Sequence, residues 1–336
     1  FSDLHVTADP RDIAWHELLS KRFVGWLNLK LSGRHAAMLD AVKIARAFVE
    51  DIQELSPDHV LFTGDVTGLS LPSEFECARA TLETLVEARN TTGIPGNHDV
   101  YLGRAAREDY FGRWFGEWLE TDLQRSQLPG SLQESYPWPL VRLIGDEVAL
   151  ICLRDSRPTP FHDSSGLVSE VQMRAAEHVL DNIVGDRVKI LALHYGLRRP
   201  NGARDGYFHR LRNDEEVLDL AERKNVTLLV HGHIHHRAVH VAGDLSPVAM
   251  ANPGPLAYTK DARAYHIYTV NNGHVGVEAR HFDEASGTFI AWPEASQCLK
   301  ASLIYTSDAA DEGIGVDLGC RRIIKKKRGG GGVGGG

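Results

Sequence analysis

The 336 residues carry 37 Lys/Arg against 45 Asp/Glu, a formal charge of −8, and 43% are hydrophobic. That is apolar content enough for a sizeable core in one large α/β domain or two small ones. Residues 296–336 hold seven Lys/Arg and four Asp/Glu, so the remainder stands at 30 basic against 41 acidic residues, or −11. So acidic a body argues against general nucleic-acid binding, which relies on Lys/Arg to neutralise phosphates, and no apolar run reaches the length of a membrane span.

The chain opens on Phe1 and moves at once into Ser2-Asp3-Leu4-His5. A strand should lead into Asp3, so the domain reads as truncated at its N-terminus; a signal peptide stays open and the expected setting is cytoplasmic. From Gly33 to Leu55, apolar residues at Met38, Leu39, Val42, Ala45, Phe48, Val49 and Ile52 keep helical spacing with one buried face. His59–Thr63 is a short apolar run ending at Gly64-Asp65, which puts Asp65 where a strand becomes a loop. Ser73-Glu74-Phe75-Glu76 after Pro72 reads as a capping box opening a helix to about Ala88. Thr91–Ile94 reads as another strand, delivering Gly96-Asn97-His98-Asp99.

Residues 104–123 are aromatic and amphipathic, with Tyr110, Phe111, Trp114, Phe115 and Trp118, and predict a helix packed on the sheet or over a site mouth. Val141–Ile144 and Glu147–Leu153 form a hairpin around Gly145-Asp146. Ser169-Glu170-Val171-Gln172 caps a helix. Val188–Leu193 is a buried strand delivering His194; Asn213–Arg223 is a helix; Val226–Val230 is a strand delivering His231. Tyr265–Val270 and Val275–His281 are later strands. Cys77 and Cys152 lack metal-site spacing and read as buried reduced thiols. After about Gln297 the composition shifts to a basic, glycine-rich stretch, so the domain is expected over 1–295 and 296–336 reads as a non-native or disordered tail.

Carboxylates, an amide and imidazoles recur at the ends of β-like runs, where open α/β sheets gather their ligands. Such donors suit hard and borderline divalent metals, and a carboxylate with two oxygens can bridge two ions; Asp65 is the natural bridge. Asp3 and His5 are one residue apart and can aim at one ion from an extended loop. His231-Gly232-His233 repeats that spacing, in competition with Gly232-His233-Ile234-His235.

The ordered set Asp3-Leu4-His5, Gly64-Asp65, Gly96-Asn97-His98-Asp99, His194 and Gly232-His233-Ile234-His235 resembles the calcineurin-like metallophosphoesterase superfamily. The resemblance covers roughly residues 1–285 and favours the frame with His233 and His235, leaving His231 as the fallback. It implies an α/β, two-sheet sandwich flanked by helices, with one metal held by Asp3, His5, Asp65 and His235 and the other by Asp65, Asn97, His194 and His233. The two ions would be divalent or Fe-type, drawn from Mn, Fe, Zn and Ni, with a bridging hydroxide attacking a phosphoester. His98 would act at the phosphate as general acid or stabiliser, and Asp99 would orient His98.

The continuation Val66-Thr67-Gly68 and the motif ending in Asp99 count against a protein phosphatase. Bacterial small-molecule phosphodiesterases of the class III cyclic-nucleotide kind look closer, while pyrophosphate-cleaving lipid A precursor hydrolases share the Ser-Asp-Leu-His opening. A small phosphoester is the expected partner. The basic loop Arg198-Arg199-Pro200-Asn201-Gly202-Ala203-Arg204 is a candidate phosphate cradle. The alternative is a non-catalytic interaction module on this fold, as in the retromer subunit, although such reuse tends to erode ligands that are intact here.

Overall fold

The computed structural model describes residues 1–7, 40–160, 162–258 and 262–299. The first part of the predicted 33–55 helix and nearly all of the 296–336 segment lie outside them.

Helix α1 (Ala41–Leu55) buries Ile44, Ala45, Phe48, Val49 and Ile52, the face set by their three- and four-residue spacing. It ends at Ser56, which turns left-handed (φ 47°) and returns its amide to the Ile52 carbonyl. Strands β1 (Val60–Phe62) and β2 (Thr91–Gly93) then pair in parallel. The N-terminal segment runs alongside β1: Phe1 donates its amino group to the Leu61 carbonyl at 2.9 Å, and Asp3 its amide to Gly64 at 2.9 Å. The chain's last described strands, β9 (Ala264–Asn271), β10 (His274–Asp283) and β11 (Thr288–Leu299), form an antiparallel sheet ordered β11-β10-β9.

A six-stranded sheet faces these strands. Its members are β3 (Leu140–Ile144), β4 (Val148–Cys152), β5 (Val188–Ala192), β6 (Leu228–Val230), β7 (Ala238–His240) and β8 (Ala249–Asn252), in the order β3-β4-β5-β6-β8-β7. Its centre is parallel and its ends antiparallel. Because side chains alternate along a strand, β4, β5, β6 and β8 split cleanly. Leu150, Cys152, Ile190, Ala192, Val230 and Ala251 pack inward against Val275, Val277 and Leu299. Ile151, Leu191, Leu229 and Met250 face out and are covered by α6 (Glu170–Asp181) and α7 (Asp214–Arg223). On the opposite side, α1 and an aromatic group including Phe1, Phe62, Phe115, Trp118 and Tyr265 form a further core. The architecture is the α/β two-sheet sandwich flanked by helices that the motif order implied. Among the described residues no helix is long and apolar enough to cross a membrane.

Several elements depart from the sequence reading. The 72–88 helix is broken into α2 (Pro72–Thr81) and α3 (Glu83–Glu87). The Thr81 hydroxyl donates to the Cys77 carbonyl at 2.8 Å, a back-bond that bends helices. Its start is also two residues earlier than predicted: Glu74, not Glu76, accepts the amides of Leu69 (2.8 Å) and Leu71 (3.0 Å), with Pro72 at the first helical position. Residues 104–123 fold as α4 (Gly103–Arg107), α5 (Tyr110–Phe115) and a 3₁₀ turn, with a break at left-handed Asp109 (φ 46°). Tyr110, Phe111, Phe115 and Trp118 are buried in the core and Trp114 is half-buried against it. Ser169 caps α6 as expected, accepting the Gln172 amide at 3.3 Å. Cys77 is exposed on the outer side of α2, contrary to expectation, whereas Cys152 is buried.

Strand β11 was not anticipated, and it runs past the compositional break at Gln297. Leu299 pairs with Val275 and is 1% exposed in the inter-sheet core. A chain ending at Ser296 should therefore melt several degrees below one ending at Leu299, since deleting a buried leucine costs about 2–5 kcal/mol. Equal melting temperatures would show that the β11 end carries no core.

Candidate metal centre

Asp3, His5 and Asp65 leave the first layer at the ends of the N-terminal segment and β1. Asn97 follows β2, His194 follows β5, and His233 and His235 follow β6. Parallel register thus delivers residues far apart in sequence to one edge. The local backbone is unusual: Asp3 (φ 53°), His5 (φ 50°), Asp65 (φ 64°), His233 (φ 68°) and His235 (φ 58°) all adopt left-handed conformations. Non-glycine residues hold that region at a cost of about 1–3 kcal/mol each and only where surroundings over-determine them. Five such residues share this one edge.

The side chains fall into two groups that share one carboxylate. Asp3, His5, Asp65 and His235 converge, as do Asp65, His194 and His233, with ligand-type atoms within 4.8 Å of one another in each group. Asp65 Oδ2 lies 3.8 Å from His5 Nε2 and 3.4 Å from His194 Nε2. Asn97 Oδ1 joins the second group, 3.1 Å from His194 Nε2 and 2.9 Å from His233 Nδ1.

The outer nitrogens of these rings are fixed by backbone carbonyls. His5 Nδ1–H donates to Thr67 at 3.3 Å, His194 Nδ1–H to Thr63 at 2.7 Å, and His233 Nε2–H to His209 at 2.8 Å. In their neutral forms these three rings present acceptor nitrogens inward, and His194 Nε2 and His233 Nδ1 then both face the acceptor oxygen of Asn97, at 3.1 and 2.9 Å. Lone pairs aimed at one another need a cation or a proton between them. The donor set of imidazole, carboxylate and amide oxygen fits a borderline divalent ion better than calcium.

Glycines allow the close approach. A Cβ on Gly96 would fall against the amide and carboxylate of Asp65, 2.7 Å from its Cγ. One on Gly232 would meet Ser2 and sit 2.7 Å from Asp3 Oδ2.

A model of the calcineurin-like phosphoesterase family matches residues 1–237. The chain belongs to that family. Among solved structures it is similar to a dimetal phosphatase from Danio rerio at 12% identity and TM-score 0.54, covering 76% of this chain and 89% of that one. At that identity the likeness is one of fold. Vacuolar protein sorting 29 from Cryptosporidium parvum (13% identity, TM-score 0.35, 74% and 88% covered) and NAD nucleotidase from Haemophilus influenzae (14%, 0.35, 75% and 48%) are more distant. No curated protein matches in sequence.

Within this family member, His231 stays outside both groups. It is buried, its Nδ1 lies 3.1 Å from the Gly232 carbonyl, and burial lowers its pKa to about 4. The His231-Gly232-His233 frame is thereby set aside. His98 stands beside the first group, its ring 4.9 Å from that of His5 and stacked on Tyr101 at 5.5 Å. Its amide donates to Asp65 Oδ1 at 2.7 Å and its Nδ1–H to the Gly68 carbonyl.

Two expectations are corrected here. Asp99 does not orient the His98 ring. Its carboxylate accepts the amides of Asp65 (2.9 Å), Gly96 (2.9 Å) and Thr67 (3.0 Å) and the Thr67 hydroxyl (3.0 Å). It therefore pins the turn that carries Asp65, while burial and the neighbouring Asp65 push its pKa up to about 7. Asp99→Ala should destabilise the fold by about 3 kcal/mol or more, on the order of 1–3 for each stranded donor. Urea unfolding measures this; a loss below 1 kcal/mol would contradict it.

The arginine loop is the second correction. Arg204 forks onto buried Asp214, Arg198 contacts Asp214 at 3.2 Å and Glu215 at 3.0 Å, and Arg199 pairs with Asp205 at 2.8 Å. Those charges are neutralised within the protein, so the loop offers no phosphate cradle.

Asp155 went unnoticed in sequence. It follows β4 as Asp65 follows β1, is fully buried, and accepts the Tyr195 amide at 2.7 Å; burial raises its pKa to about 6. That position after an apolar run was the available signal. Asp155 also adds to the field on His194. Burial works against a charged His194, but Asp65, Asp3 and Asp155 prevail and raise its pKa to about 10.

A protonated His194 cannot ligate, so metal uptake must expel its proton. Its folded pKa exceeds the 6.5 of an unfolded imidazole, so this group stabilises the metal-free protein fully below pH 6.5 and loses that effect as pH rises toward about 10. The urea midpoint of metal-free protein should fall across that window, and metal uptake at neutral pH should acidify a weakly buffered solution. A rising midpoint, or uptake without proton release, would contradict the assignment.

Proposed function

We propose that the protein is a metal-dependent phosphoester hydrolase whose dinuclear centre is held by Asp3, His5, Asp65 and His235 on one side and by Asp65, Asn97, His194 and His233 on the other. The observation that carries this reading is the position of Asp65, whose carboxylate belongs to both converging groups. Bound there, two borderline divalent ions supply an acidified water and neutralise phosphoryl oxygens.

The chain's own residues supply the rest. The carbonyls of Thr63, Thr67 and His209 fix the histidine tautomers so that their inner nitrogens stay available. The backbone around Asp65 is held by Asp99. With its Nδ1–H on the Gly68 carbonyl, His98 in its imidazolium form presents Nε2–H as donor to a leaving oxygen, the general-acid arrangement. A phosphodiester is the favoured substrate class, in keeping with the motif resemblance.

The test is a panel of p-nitrophenyl phosphate, bis-p-nitrophenyl phosphate and cyclic nucleotides, assayed with Mn, Fe, Zn or Ni, alongside metal analysis. Turnover that is lost on chelation and restored by one of these metals supports the reading. Full metal loading with no turnover on any ester would leave a binding module on this fold.

A further inference from the structure

Beside His233 lies a feature that the hydrolytic reading does not use. Residues 164–166 and 208–212 form a short hydrogen-bonded flap. Ser164 donates its amide to Phe208 at 2.9 Å, Gly166 to Arg210 at 3.2 Å, and Arg212 to Gly166 at 2.9 Å. The flap is tied directly to the metal edge: the His209 carbonyl accepts from His233 Nε2 at 2.8 Å, and the Tyr195 hydroxyl donates to Ser164 at 2.6 Å. The Tyr195 ring in turn lies 4.2 Å from that of His233.

The flap carries two large aromatic side chains left in solvent. Tyr207 is 59% and Phe208 46% exposed, with ring centroids 5.3 Å apart. Arginines back them: the Arg212 guanidinium lies 3.7 Å over the Tyr207 ring, and that of Arg210 lies at 5.4 Å. Arg212 is paired with Asp163 at 3.1 Å. The Nε of Arg210, Arg212 and Arg157 is in each case buried, with no acceptor among the described residues. Two exposed rings backed by guanidinium groups suit an anionic ligand with a planar group.

Resting on the phosphoesterase reading, we propose that Tyr207 and Phe208 form a stacking subsite for a planar aromatic group on the retained ester oxygen of the reacting phosphate, opposite the leaving group, with the Arg210 and Arg212 guanidinium groups behind the Tyr207 ring. The flap's tether to His233 fixes this platform relative to the ligands. A nucleoside or a simple aryl group would meet the same chemistry, since each offers a π-face and stacking tolerates variation in the ring.

The experiment compares three diesters with one leaving group: the p-nitrophenyl esters of thymidine 5′-monophosphate, phenyl phosphate and methyl phosphate. The parent protein is expected to favour the two aromatic diesters over the methyl one in kcat/KM by about tenfold, the scale of one base–aromatic stack. Tyr207→Ala and Phe208→Ala should collapse that ratio toward unity, chiefly through KM, and Tyr207→Phe should restore it. Metal content equal to the parent's certifies that each variant is folded. A preference confined to the thymidine ester identifies a nucleoside as the group; a shared preference identifies any aryl group; both support the subsite. Equal kcat/KM on all three, or a ratio that survives both alanine variants, overturns the subsite while leaving the hydrolase standing. Failure to cleave any of the three under every metal overturns both.

Discussion

Gly96→Ala should cost the protein its activity even though glycine 96 contributes no ligand atom. The added Cβ would be driven into Asp65, 2.7 Å from its carboxyl carbon and nearer still to its amide and Oδ1. Neither partner can yield. The Asp65 amide is bonded to Asp99, and Oδ1 accepts the His98 amide at 2.7 Å. The strain must move the carboxylate that both ligand groups share. Overpacking of this kind costs about 1–3 kcal/mol in stability, and misplacing a reacting constellation by about 1 Å can cost about 10²-fold in rate. We therefore expect kcat on bis-p-nitrophenyl phosphate to fall at least a hundredfold, with metal content per chain reduced and the melting temperature lowered by only a few degrees. Parental metal content and turnover in this variant would mean that the tight packing around Asp65 is not what holds it in place.

Much of this centre could be read before any coordinates, and the reason is positional. Asp65, Asn97 and His194 each follow a short apolar run, and parallel strands place such residues on one edge whatever the intervening chain does. The choice of His233 and His235 over His231 turned on Gly232, which must lie beneath Asp3. Adjacency was misleading for Asp99. Neighbouring residues in a turn point their side chains in different directions, so its carboxylate went to the Asp65 backbone instead of the His98 ring. The arginine loop misled for a related cause: the acids that take Arg198 and Arg204, Asp214 and Glu215, sit at the start of a helix ten or more residues downstream. Local sequence gives charge but not pairing. The flap bearing Tyr207 and Phe208 was invisible because it is made by two segments without strand-like periodicity, joined only in three dimensions.

Asp65→Asn and His98→Asn should separate metal binding from chemistry. Asp65 Oδ2 sits within 3.8 Å of His5 Nε2 and 3.4 Å of His194 Nε2, so the amide would remove the shared negative charge from both groups at once. It would also remove the main attraction that holds the His194 proton, lowering that pKa from about 10. The metal-free variant should therefore release fewer protons on titration with metal, as well as binding it less. His98 belongs to neither ligand group, and its replacement leaves the donors in place. Metal analysis should find depleted metal in Asp65→Asn and near-parental metal in His98→Asn. Turnover should vanish in the first and fall by about 10²–10⁴-fold in the second, the range typical of lost general-acid help. The deficit of His98→Asn should shrink on esters with good leaving groups, because a p-nitrophenolate departs with little need of a proton. Full metal occupancy in Asp65→Asn would remove that residue from its bridging role, and unchanged turnover of a poor-leaving-group ester by His98→Asn would remove His98 from the chemistry.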